Sequence, residues 1–191
     1  MDAWSTAIRD AVEKVAPRVI HVASEDEEGE RVAFGTAFFL DDRHLICNAQ
    51  VLQGARAELT LPDGHRRYAR KVGVDPLYYL GFLEIEPATG AENEVEPAEM
   101  PQEESPAGSS LQRFSQTHFA EADDLQVGQV VLALGNPLGD MVTVSAGVIS
   151  ATERTIYRPE RIPVDGLIVT DASIHPGNTG GPLLLLDGSV A

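Results

Sequence analysis

The sequence predicts an all-β fold opened by one helix, and three observations carry that prediction. Apolar residues at positions 3, 4, 7, 8, 11, 12 and 15 follow helical spacing, with Pro17 ending the run. Beyond it, short runs rich in β-branched and aromatic residues recur at near-regular intervals, divided by turn material such as Asp41-Asp42, Asn136-Pro137-Leu138-Gly139 and Leu186-Asp187-Gly188. Between the two groups of strands lies a segment, 86–110, with seven Glu, four Pro and no basic residue.

The strands are expected at 19–23, 32–40, 44–48, 57–61, 68–74 and 80–85 in the first half. In the second half they fall at 129–134, 141–151, 166–170 and 182–186. Many short strands in series fit a barrel or a sandwich. The Glu- and Pro-rich stretch cannot bury enough apolar surface to offset its ordering entropy and reads as a linker. The domain reading is therefore a helix over 1–17, a first β unit over 18–86, a linker over 87–120 and a second β unit over 121–191. A smaller acidic cluster, Glu25-Asp26-Glu27-Glu28 before Gly29, reads as a solvated hairpin tip.

Composition excludes several function classes. The 191 residues carry 14 Lys and Arg against 30 Asp and Glu, a net charge of -16, which argues against nucleic acid and anionic membranes as partners. The one basic run, Arg66-Arg67-Tyr68-Ala69-Arg70-Lys71, reads as a solvated strand edge. No stretch approaches the roughly 20 apolar residues of a membrane span, so no membrane insertion is expected. Without an apolar core of signal-peptide length at the N-terminus, the chain reads as cytoplasmic. Cys47 is the only cysteine, so no intrachain disulfide forms. In an apolar run it reads as a buried, inert thiol. None of the five histidines has metal-ligand spacing to it or to another histidine, so neither a metal nor a cofactor is expected.

Five blocks in order carry a resemblance. Residues 170–183, TDASIHPGNTGGPL, are similar to the nucleophile loop TDAxINPGNSGGP of HtrA/DegP-type trypsin-like serine proteases. Residues 35–55, GTAFFLDDRHLICNAQVLQGA, resemble GSGFIISxDGYILTNNHVVxGA, with a turn one residue shorter. Residues 75–85, DPLYYLGFLEI, resemble DPxxDLAVLKI. Residues 11–22, AVEKVAPRVIHV, and 125–137, LQVGQVVLALGNP, look like the family's AVEKVxPSVVxI and LxVGDxVxAIGNP. The resemblance implies a chymotrypsin/trypsin-like double β-barrel, with the second barrel incomplete and without the PDZ domain that usually follows.

It also implies where the family's catalytic residues fall, and each position departs from the pattern. The nucleophile position holds Thr179, the general-base position Gln50 and the orienting-aspartate position Tyr79. The backbone N–H groups of Gly177 and Thr179 would be the oxyanion donors. An amide does not take up a proton near neutral pH, and a phenol with an ordinary pKa of about 10 supplies no negative charge there. Of His21, His44, His65, His118 and His175, only His175 lies on the nucleophile loop and could stand in as a base. The sequence thus points to a pseudoenzyme, not an enzyme: a protein- or peptide-binding or regulatory scaffold. A weakly active endopeptidase using Thr179 and a holdase-like chaperone are the alternatives. An open second barrel or the N-terminal segment would support self-association.

Overall fold

The structure, a computed structural model, describes residues 2–54, 56–62, 64–86, 94–95 and 114–191. Helix α1 (Ala3–Val15) begins at Asp2, whose side chain accepts the Ser5 N–H at 2.9 Å and satisfies one of the free donors of the first turn. Six strands follow: β1 (Val19–Glu25), β2 (Arg31–Phe39), β3 (His44–Asn48), β4 (Arg56–Thr60), β5 (Arg66–Asp75) and β6 (Leu80–Ile85). They pair antiparallel in the order β4-β1-β2-β3-β6-β5, and β4 also pairs with β5, which closes a six-stranded barrel. Closure removes the sheet edges. It also gives the inward faces one shared core of Ile20, Val22, Phe39, Leu45, Leu59 and Leu83, all at most 1% exposed.

The acidic cluster is a hairpin tip, as expected. Asp26 Oδ1 accepts the N–H groups of Glu28 and Glu30 at 3.1 and 2.8 Å. The basic run is a correction. At Arg66–Ala69 strand β5 is paired to β4, and Arg66 and Arg67 also pair with a two-residue strand β7 (Glu94–Val95). Arg67 is only 8% exposed, because strand alternation turns it to the same side as buried Ala69. It is not a solvated edge.

The second unit is an open sheet. Strands β8 (Val130–Gly135), β9 (Thr143–Tyr157), β10 (Pro163–Thr170) and β11 (Leu183–Leu184) lie in the order β10-β9-β8-β11. Its apolar face forms a second core of Leu132, Leu134, Leu184 and Val190 with Phe38 of the barrel and Ala11 and Val15 of α1. Each fully buried leucine there contributes about 1.5–3 kcal/mol, so the helix spacing seen in the sequence has its explanation in this contact. Beside β11, Val190 bridges to Phe119 and to Leu184, and Lys14 Nζ donates to the Asp187 carbonyl at 2.7 Å. Intramolecular segments therefore cover this border of the sheet.

Residues 87–93 and 96–113 of the expected linker lie outside the described residues. Its last part is packed: the Phe114 ring sits 4.8 Å from that of Phe39, and Thr117 Oγ1 donates to the Phe39 carbonyl at 2.6 Å. Among the described residues, no helix is long and apolar enough to cross a membrane.

Candidate active site

Backbone hydrogen bonds bring the three sequence-predicted positions to one seam between the barrel and the second sheet. Thr179 follows a 3₁₀ turn, Pro176–Asn178, and its carbonyl accepts the Thr36 N–H of β2 at 3.0 Å. Gly180 comes next, with φ +94, a conformation that side chains other than glycine's rarely adopt. A Cβ there would lie 2.2 Å from the Thr36 carbonyl oxygen and 2.6 Å from the Asn48 nitrogen, so the loop presses directly on Thr36 within β2 and on the end of β3. The chain then leaves β3 through a 3₁₀ turn, Ala49–Val51, which Asn48 caps by accepting the Gln50 N–H at 2.9 Å. Within that turn the Ala49 N–H donates to the Tyr79 carbonyl at 2.7 Å. Residues 50, 79 and 179 thus belong to one contiguous set of contacts, although 100 positions separate Tyr79 from Thr179 in the chain.

Their surroundings decide what chemistry is available. Gln50 and Tyr79 are exposed, and Thr179 is half-buried. Tyr79 sits in the left-handed region, φ 56, at the end of a turn in which Asp75 Oδ1 accepts the Leu77 and Tyr78 N–H groups at 2.8 and 3.1 Å. Of the two expected anion donors, the Thr179 N–H donates to the Pro176 carbonyl at 3.2 Å, as a 3₁₀ turn requires. The buried Asn178 secures the loop from the other side. Its Oδ1 accepts the Thr143 hydroxyl at 3.0 Å, while Thr36 Oγ1 donates to the Gly177 carbonyl at 2.8 Å.

The five histidines are scattered. His21 is buried at the seam, with Nδ1 3.3 Å from the Asn136 carbonyl oxygen, and burial pushes its pKa below the ordinary value. His44 pairs with Asp41 in the β2–β3 turn, Nδ1 to Oδ2 2.9 Å. His118 receives the Val190 N–H on its carbonyl beside β11. His65 closes the β4–β5 turn by accepting the Leu61 N–H. His175 lies on the loop itself and is exposed. Among the described residues, no group of His, Cys, Asp and Glu could hold a metal ion.

One contact had no signal in the sequence. Arg158, just beyond the end of β9, lays its guanidinium over the Tyr79 ring, with Cζ 3.6 Å from the ring centroid, and donates from Nη1 to the Pro76 carbonyl. A residue of the β9–β10 connection thereby reaches one of the three predicted positions on the barrel. Nothing in the local sequence marks it, because the two residues are paired only by the fold.

Comparison with known proteins agrees with this architecture. The sequence profile of the trypsin-like peptidase domain matches residues 35–191. The chain is 33% identical over 166 residues to a protein of Marinomonas sp. (strain MWYL1) named "Probable periplasmic serine endoprotease DegP-like", covering 86% of this chain and 30% of that one. A protein of the same name from Halomonas elongata is 34% identical over 163 residues, covering 84% and 29%. The "Serine protease Do-like HtrA" of Bacillus subtilis (strain 168) is 27% identical over 210 residues, covering 97% and 42%. The chain thus spans about a third of the length of these relatives.

Two expectations are corrected by these findings. The pseudoenzyme reading is overturned by relatives that are named serine endoproteases, together with the match to a peptidase domain. The residue types at positions 50, 79 and 179 do not decide the class of protein. The cytoplasmic reading is overturned by relatives whose names call them periplasmic. The residues that open this sequence do not by themselves reveal a compartment. A closed six-stranded barrel beside a second, partial sheet, five ordered sequence blocks and the matched domain lead to one conclusion: the chain belongs to the HtrA-type branch of the trypsin-like peptidase family.

Proposed function

We propose that this domain acts on polypeptide chains as a serine-endopeptidase relative: it holds an extended segment at the seam, and Thr179 is the attacking hydroxyl. The observation that carries this reading is the convergence of Thr179 with the Ala49–Tyr79 contact around Thr36 of β2 and the end of β3. Supporting it are the peptidase-domain match and the endoprotease names of the relatives. The word periplasmic in those names supports a periplasmic setting for this domain as well.

Chemistry at the seam sets the pace. Threonine attacks an amide well only when a neighbouring base removes its proton as the new C–O bond forms. The carboxamide of Gln50 can orient a substrate by hydrogen bonding, yet it takes up no proton. Binding needs no proton transfer, so it is the step least affected by these residue types. Turnover is slow, and occupancy of the seam is the property that shows first.

The test is a fluorescently labelled, permanently unfolded polypeptide incubated with the wild-type domain and with Thr179→Ala. Both proteins are expected to bind it saturably, while new termini, read by mass spectrometry over days, accumulate only with the wild type. Restoring the family residues together, Gln50→His, Tyr79→Asp and Thr179→Ser, is expected to raise that rate. Absence of saturable binding to either protein overturns the reading.

A further inference from the structure

We propose that the Tyr79 ring and the Pro76 carbonyl form a receptor for a guanidinium group. The chain fills this receptor with its own Arg158, and an arginine side chain on a bound polypeptide can take it over. The inference rests on the reading of the seam as a polypeptide site and adds to it the class of side chain recognised.

The backbone of the receptor is fixed by contacts that do not involve Arg158. Asp75 accepts two successive N–H groups and fixes the β5–β6 turn, which places the Pro76 carbonyl at its start and Tyr79 at its end. The left-handed backbone of Tyr79, unfavourable for a residue with a Cβ, is held by the Ala49 N–H on its carbonyl. That bond leads directly into the turn carrying Gln50, so the receptor belongs to the seam and not to a remote surface. The ring stands outward with 43% of the residue's surface exposed even while one face is covered.

Two features of the contact select guanidinium over ammonium. The Arg158 Cζ lies 3.6 Å from the ring centroid, where the negative face of the aromatic attracts a cation. At the same time an in-plane N–H of that group reaches the Pro76 carbonyl. A planar fork can stack and donate together, whereas a lysine ammonium cannot do both from one position.

The occupant comes from a segment that has to be held in place. Beyond β9 the chain reverses through residues 158–162, with Arg158 N–H donating to the Ile162 carbonyl at 2.9 Å and Arg161 N–H to the Arg158 carbonyl at 3.1 Å. Glu160 and Arg161 both lie at positive φ, 66 and 60, where side-chain-bearing residues are disfavoured. Such a tip gives up its position at little cost once its anchor is displaced. A tethered group competes with the effective concentration its tether confers, on the order of millimolar for a short one. Removing Arg158 should therefore uncover a site that the wild-type chain masks.

The experiment titrates isotopically labelled protein with two capped pentapeptides, acetyl-Ala-Ala-Arg-Ala-Ala-amide and its lysine counterpart, and follows the Tyr79 ring resonances. In Arg158→Ala the arginine peptide is expected to shift them saturably, with an apparent affinity at least fivefold above that in the wild type. The lysine peptide is expected to be several-fold weaker. Arg158→Lys, which keeps the charge and the tip, should uncover the site partly. Adding Tyr79→Leu to Arg158→Ala should abolish the response. Equal titrations in wild type, Arg158→Lys and Arg158→Ala, or equal response to the two peptides, overturn the proposal. Unfolded-polypeptide binding is measured on the same samples. If it is absent while the arginine peptide still shifts Tyr79, only the functional reading falls. If it persists while Arg158→Ala leaves Tyr79 unresponsive, only this inference falls.

Discussion

Thr36 on the barrel and Asn136 on the second unit are joined by a hydrogen bond of 2.9 Å, from the Asn136 N–H to the Thr36 hydroxyl oxygen. The same hydroxyl donates to the Gly177 carbonyl at 2.8 Å, so one fully buried side chain ties both units and the loop before Thr179. Replacing Thr36 by valine keeps the shape and removes both bonds, leaving a buried N–H without its acceptor. The expected cost is about 2–3 kcal/mol, with Thr36→Ser losing less. Urea unfolding monitored by circular dichroism decides this; equal midpoints for wild type and Thr36→Val would refute the coupling.

His21 predicts a pH dependence of stability. Burial holds its folded pKa below the ordinary 6.5, although the Asn136 carbonyl partly opposes that shift. The unfolded chain therefore takes up the proton first. The stabilising contribution is complete above about pH 6.5 and is lost as the pH falls toward the folded pKa. His21→Gln should flatten the stability profile between pH 7.5 and 5.5. Glu84, whose carboxylate is held below its usual pKa first by Arg70, acts only at lower pH, so the two windows can be separated. A wild-type profile already flat over that range would remove His21 as its cause.

Regular elements were readable in the sequence because their apolar period reports directly on burial. Strands β3 and β6 fall on the expected residues, and α1 fits its expected span. Strand β9 runs to Tyr157, six residues past expectation, since its far half is exposed and carries no burial signal. The site was legible as a set of blocks, and its assembly was not. Contacts such as Thr36–Thr179 and Ala49–Tyr79 are made by backbone groups, which every residue carries alike. The Arg158–Tyr79 contact and the burial of Arg67 were missed for a related reason: a charged residue looks solvated until the fold shows what covers it.

Cys47 should be inert in the native protein. It is 1% exposed, and burial pushes its thiol up to about 12, which leaves almost no thiolate at neutral pH. Labelling by a disulfide reagent at pH 8 is expected to run at least about 100-fold slower than in denaturing urea. It should speed up in Thr36→Val in step with the lost stability. Rapid labelling of the folded wild type would contradict this.

Gly180 should tolerate no side chain. Its φ of +94 and the 2.2 Å approach of a built Cβ to the Thr36 carbonyl oxygen act together, and the opposing atoms are backbone that cannot move aside. Gly180→Ala is expected to cost more than about 2 kcal/mol. It should also weaken polypeptide binding at the seam, because the Thr179 loop must move away from β2 and β3. Unchanged stability together with unchanged binding would show that the loop does not seat the site.

Arg67 is the position where a substitution should strengthen the fold. Its Nε is buried and has no hydrogen-bond partner among the described residues, and its register neighbour on β4, Leu59, is fully buried. A buried donor left without its hydrogen bond costs about 1–3 kcal/mol, whereas methionine of similar length fills the space and has no donor to satisfy. Arg67→Met is therefore expected to raise stability by about 1–3 kcal/mol, a rise in Tm of several degrees for a chain of this size. Arg70→Met is the control, since Arg70 is exposed and paired with Glu84; its substitution should leave the Tm level or slightly lower. If Arg67→Met instead melts earlier than the wild type, the guanidinium has a partner in solution that supports it, and its burial is not a cost.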